Sequence, residues 1–103
     1  MKNNKIYNLC KKLWPINRSL TGKGNLETLK ILKKVHNKLK IKKINSGKKV
    51  FDWKIPYEWN AYDAWIKNEE GKKILDFKKN NLHLVSYSEK IHKKISLEKL
   101  KKN

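Results

Sequence analysis

Residues 51–66, FDWKIPYEWNAYDAWI, hold three of the chain's four tryptophans, two of its tyrosines, a phenylalanine and one of its two prolines. Large aromatic side chains carry the most apolar area per residue, so this run is where the chain most readily anchors a core. Asp52, Glu58 and Asp63 interleave with the rings, and Pro56 fixes one backbone angle while biasing Ile55 toward an extended conformation. The pattern predicts two short strands joined at Pro56–Glu58, not a helix.

Outward from this run, the chain alternates apolar patches with turn formers. Residues 41–45, IKKIN, predict a brief strand before the turn at Ser46-Gly47. Val50 to Ile55 and Trp59 to Lys67 read as strands. Asn68-Glu69-Glu70-Gly71 then makes a hairpin connection to a returning strand over Lys72 to Phe77, and Leu82 to Tyr87 alternates as one more strand. Upstream, Ile6, Leu9, Cys10 and Leu13 recur at helical spacing, so residues 3–14 predict a short amphipathic helix stopped by Pro15. Cys10 reads as a small buried hydrophobe of that stripe. Leu26, Leu29, Leu32, Val35 and Leu39 predict a second helix to about residue 40, with Asn25 as its N-cap and Glu27 in its first turn. His36, near the edge of that helix, reads as a packing or exposed residue. The fold class is α+β: two N-terminal helices, then a small antiparallel or mixed sheet. Residues 1–88 form the structured segment, and 89–103 a lysine-rich tail in which Ser96 caps a last helical turn, SLEKLKKN.

The net charge of +18 is lopsided, since residues 1–50 hold fourteen lysines and Arg18 against Glu27 alone. Such a balance points toward polyanions. Nucleic-acid readers, however, favour the guanidinium fork, and Arg18 is the sole arginine. A solvated lysine surface in keeping with an AT-rich codon bias is the better reading, with nucleic acid as a weaker alternative. An interaction domain using the aromatic run 51–66 is a third reading, under which Trp53, Trp59 and Trp65 would be solvent-accessible. No apolar run approaches the roughly 20 residues that span a bilayer, and the first residues lack the h-region of a signal peptide, so the expected location is cytoplasmic, without a membrane partner.

No self-contained chemistry emerges. The single cysteine excludes an intrachain disulfide. His36, His83 and His92 show neither H-x-x-x-H nor H-E-x-x-H spacing, so no metal ligand, catalytic or cofactor-binding residue is assigned. Ser46, Ser86 and Ser88 lack a nucleophile-elbow context, and the pairs Asp52/Glu58 and Glu69/Glu70 read as surface charge. The loop PINRSLTGKGN, residues 15–25, carries Gly22 and Gly24 before a helix, but it matches neither the P-loop nor the dinucleotide fingerprint. A tight structural turn is the better reading.

Several motifs in a fixed order resemble a known family. Residues 13–32, LWPINRSLTGKGNLETLKIL, resemble its R-S-[IL]-T-G-x-G step followed by a helix with E-T-L. Ser46-Gly47, Val50-Phe51-Asp52-Trp53, Pro56, Glu58-Trp59-Asn60, Asp63-Ala64-Trp65-Ile66, Gly71, Asp76-Phe77, Asn81-Leu82-His83, Val85 and Tyr87-Ser88 continue in the family's order. Leu26 departs from it, standing where an arginine is expected. The family is that of the bacterial and archaeal aminopeptidase-like proteins, also labelled as a domain of unknown function or as polysaccharide-biosynthesis proteins with an aminopeptidase-like domain. The resemblance implies a zinc-dependent peptidase with an α/β catalytic domain and a chain several times this length, whose metal-binding motifs lie beyond Asn103. It therefore implies an N-terminal segment, inactive alone, without a cofactor of its own. Its partner would be the missing catalytic remainder or a second subunit of the family, and a peptide substrate would be met only in the full-length form.

Overall fold

Nine residues, Lys5–Leu13, form the first helix, α1, and thirteen, Lys23–Val35, the second, α2. The computed structural model describes residues 4–102. Asn3, the expected first residue of α1, and Asn103 at the end of the tail lie outside that range. The Asn4 side chain caps α1 by accepting from the Tyr7 amide, and the helix stops at Trp14, one residue before Pro15, as the ring requires. Helix α2 starts three residues earlier than its spacing suggests. Gly22 is its N-cap, and Asn25 lies inside the first turn, where its side chain donates back to the Ser19 carbonyl at 2.7 Å. The helix also ends early, because His36 leaves the helical region at φ −130° and Leu39 is not part of it.

Two separate two-stranded antiparallel sheets follow, where the sequence suggests one small sheet, and the fold class is α+β. Strand β1 (Lys49–Val50) pairs with β2 (Trp53–Lys54), and β3 (Trp65–Lys67) with β4 (Lys73–Asp76). In the second pair Trp65 faces Asp76 and Ile66 faces Leu75, with a register shift between Ile66 and Lys67. Its connection is the expected hairpin, closed by Asn68 and Lys72 at 3.0 Å.

Among the described residues two expected strands, over 41–45 and 82–87, are absent, the one over 50–55 is divided by a turn, and the one over 59–67 is cut to Trp65–Lys67. Val50 to Ile55 turns back on itself, since Phe51 takes φ +53° and puts Val50 opposite Trp53. Residues 56–63 belong to no ladder, while Ile55 and Ala64 at either end bond to the two hairpins through Gly47, Lys48 and Phe77, so Pro56–Glu58 joins no strands; the Tyr57 carbonyl is engaged by side chains instead of a ladder. Over Leu82 to Tyr87, the Asn80 side chain accepts from the Leu82 amide and winds residues Asn81–His83 into a 3-10 turn. Tyr87 at φ +64° then prevents any extended run. Residues 41–45 form no ladder either. In the tail, Ser96 caps a final helix α3 (Leu97–Lys101), accepting from Lys99.

The aromatic run does not build an interior. Among the described residues no hydrophobic side chain is buried, and only Asp76 is. The reason is extent: the chain measures 52 × 50 × 19 Å with a radius of gyration of 18.2 Å, against about 13 Å for a domain of this length. It exposes 10,068 Å², roughly 4,000 Å² more than a folded monomer of its mass. Cys10, read as buried, is exposed.

Candidate functional site

The most elaborate polar structure lies where three distant loops meet. The loop before α2 is held by Arg18, whose guanidinium donates to the Leu13 carbonyl at 3.1 Å and to Thr28 Oγ1 at 3.5 Å. The one arginine thus shares with the Ile16 amide a carbonyl at the end of α1, where a cation is favoured, and ties α1 to α2. Gly24 lies against the backbone of Asn17 so closely that a Cβ would overlap its carbonyl oxygen.

Thr21, Gly22 and Lys23 then dock on the segment Tyr57–Asn60. Thr21 Oγ1 lies 3.3 Å from the Tyr57 carbonyl and 2.7 Å from the Tyr87 hydroxyl, which itself donates to the Tyr57 carbonyl at 3.3 Å. The Lys23 amide donates to Asn60 Oδ1 at 2.7 Å, so the asparagine side chain receives a free N–H of the first turn of α2. A Cβ on Gly22 would stand 2.5 Å from the Trp59 carbonyl oxygen, and φ is +116° there. Glycine is required on both counts.

The third loop closes over this contact. Trp59 stacks on Tyr87 with centroids 5.9 Å apart, and its indole N–H donates to the Ser88 carbonyl at 3.1 Å. Tyr87 pays for its left-handed backbone with that stacking and with two hydroxyl contacts. Three stretches, the first and last 66 residues apart, are thereby fixed to one another. From α1, the Trp14 carbonyl accepts from the Asn81 side chain at 3.0 Å and ties the fourth corner.

A second polar knot surrounds Asp76. Its Oδ1 accepts from the Lys78 amide at 3.1 Å, and its Oδ2 lies 3.6 Å from the Lys73 ammonium. His83 Nδ1 lies 3.3 Å from the Asp76 amide nitrogen and 3.2 Å from the Asp76 carbonyl oxygen, so it accepts from the one or donates to the other according to its tautomer.

These knots position backbone; they do not assemble reacting groups. Among the described residues no three His, Cys, Asp or Glu side chains stand together as metal ligands do, so the residues present do not fit a zinc centre. His83 is engaged at Asp76, His92 lies edge-on to Trp65, and His36 terminates α2. Ser88 Oγ donates to the Val85 carbonyl at 2.6 Å and has no histidine beside it in that bond. The shallow depression of about 250 Å³ beside α1, which includes Trp14, Arg18, Asn81 and Ser86, is lined by no carboxylate, histidine or cysteine. Of the three tryptophans read as accessible, Trp53 and Trp65 are exposed and Trp59 is half-buried under Tyr87. The sequence reading missed the Thr21–Tyr57–Tyr87 contact, although Thr21 and Tyr87 lie in the motifs that carry the resemblance and Tyr57 stands between two of their residues, Pro56 and Glu58. No helix among the described residues is long and apolar enough to cross a membrane.

The segment that carries this junction is similar to known proteins. Residues 7–100 match the family described as Domain of unknown function (DUF4910). A Clostridium acetobutylicum protein with the provisional name of polysaccharide biosynthesis protein with aminopeptidase-like domain is 51% identical over 96 residues, covering 93% of this chain and 22% of the relative. A crystal structure from the same organism, provisionally described as a peptidase, superposes with a TM-score of 0.87 at 50% identity, over 95% of this chain and 23% of that one. The chain thus spans less than a quarter of the length of the relatives it matches.

Proposed function

The chain belongs to the DUF4910 family, and from that premise we propose that it supplies the N-terminal element of an aminopeptidase-like, zinc-dependent peptidase and does not hydrolyse peptides alone. The observation that carries the proposal is the open fold: 10,068 Å² exposed and no buried hydrophobic side chain among the described residues. A surface surplus of roughly 4,000 Å² is the scale of an obligate interface, not of a free domain. The aminopeptidase-like names of the relatives supply the activity, and the zinc ligands and catalytic groups belong to the covering part, which acts on a peptide substrate in the cytoplasm. Residues 1–88 take part in that packing, and the lysine-rich residues 89–103 lie at its margin.

The junction gives the element its task. By tying α1, α2 and the extended segment 55–64 together, it presents one rigid face to the remainder of the fold. The test is to purify the chain and assay zinc content and hydrolysis of an aminoacyl-4-nitroanilide panel, alone and co-expressed with the remainder of the Clostridium acetobutylicum relative. Hydrolysis and stoichiometric zinc are expected only in the co-expressed complex. Zinc-dependent hydrolysis by the chain alone would overturn the proposal.

A further inference from the structure

The two hairpins end in opposite ways. The β3–β4 turn is Asn68-Glu69-Glu70-Gly71, polar throughout, with Gly71 taking the positive φ of +80°. At the tip of β1–β2 the residue with positive φ is Phe51, at +53°, and its side chain is 92% exposed. A bulky residue in the left-handed region is an outlier that glycine or asparagine would avoid, and full exposure of the ring gives nothing back. The ladder behind it carries a second conflict, since Lys49 stands directly opposite Lys54, a like-charge pair that weakens a sheet. Lys48 is exposed beside them. Two local rules are broken within six residues, although the Gly47 and Ile55 amides close the base of the hairpin by donating to the Ile55 and Lys48 carbonyls at 2.8 and 2.9 Å. Such coincidences mark functional positions more often than chance.

Both conflicts are resolved by one kind of partner. Resting on the reading above, we infer that the β1–β2 hairpin is the docking knob of this element: Phe51 seats in an apolar pocket of the covering part of the aminopeptidase-like fold, and carboxylates at the pocket rim meet Lys48, Lys49 and Lys54. Occupancy by the covering part follows from the relatives, whose chains extend over more than three quarters of their length beyond the matched segment. It follows also from charge, because a second copy would bring +18 against +18. An aromatic anchor in a pocket with charge-complementary surroundings is the usual form of an interface hot spot.

The experiment uses two substitutions that relieve the local conflicts. Phe51→Gly removes the ring and the strained φ, and Lys49→Glu turns the opposed lysines into an attractive pair, so each stabilises the free hairpin. Each variant is co-expressed with the remainder of the Clostridium acetobutylicum relative, and the yield of complex and its dissociation constant are measured, with sedimentation of the chain alone and titration with a single-stranded oligonucleotide alongside. Weakening by at least about tenfold for both variants is expected. Unchanged affinity for Phe51→Gly, with the wild-type complex intact, overturns the knob and leaves the functional proposal standing. Absence of any wild-type complex overturns both. A Phe51-dependent homodimer, or oligonucleotide binding that Phe51→Gly abolishes while the complex survives, overturns the assigned occupant.

Discussion

Replacing Gly22 by alanine tests whether the junction is a built contact. The new Cβ would lie 2.5 Å from the Trp59 carbonyl oxygen and 2.8 Å from Asn60 Oδ1, and the first of these is backbone that cannot rotate away. The backbone at φ +116° and ψ −179°, a region essentially confined to glycine, costs an alanine about 1–3 kcal/mol. Relieving the overlap pushes the loop off Asn60, and the Lys23 amide loses its 2.7 Å acceptor, which adds about 1 kcal/mol. Overpacking against backbone contributes at least about 1 kcal/mol more. The sum, about 3 kcal/mol or more, corresponds to opening of the junction roughly a hundredfold more often. Native-state amide exchange at Lys23 and at the Trp59 indole reads that opening, since local unfolding sets the rate. Gly71→Ala is the control: its φ of +80° also disfavours a side chain, but nothing lies within 4 Å of its Cβ. Equal effects of the two substitutions on Lys23 and Trp59 exchange would refute the steric argument.

Three further outcomes follow from the same geometry. Tyr87→Phe keeps the stacking on Trp59 but loses the hydroxyl that joins Thr21 to the Tyr57 carbonyl, so exchange at Trp59 should rise by about tenfold, the value of one such hydrogen-bonded bridge. Asp76→Asn retains an acceptor for the Lys78 amide and should cost under about 1 kcal/mol, whereas Asp76→Ala leaves that amide without it and should cost about 1–3 kcal/mol, compared by denaturant unfolding of the assembled complex. Binding to duplex DNA, if measured at low salt, should show no sequence preference and should fall steeply with added salt, because the one arginine is occupied by Leu13 and Thr28; a salt-resistant, sequence-specific complex would contradict that.

What residues decide among near neighbours was legible in the sequence. Apolar spacing located α1 and α2, Pro15 marked the end of the first, the Asn68–Gly71 turn located the β3–β4 hairpin, and Ser96 announced α3. Each rests on a contact within a few residues, so composition and period suffice. The order of the motifs also identified the family. Strand pairing in the aromatic run was not legible, because a short apolar run states that a strand is acceptable and leaves its partner open. The Tyr57 carbonyl was taken by Thr21, 36 residues earlier, and by Tyr87, 30 residues later, and no local rule ranks those acceptors against a ladder. Burial failed for a related reason. Period places Cys10 and Phe51 on apolar positions, but whether an apolar position is covered depends on what else packs there, and here that surface is open. The sequence by itself thus settled local conformation and kinship, which depend on neighbouring residues and motif order. Only the tertiary structure decided which distant groups meet and which faces stay exposed, because those depend on the sum of long-range contacts.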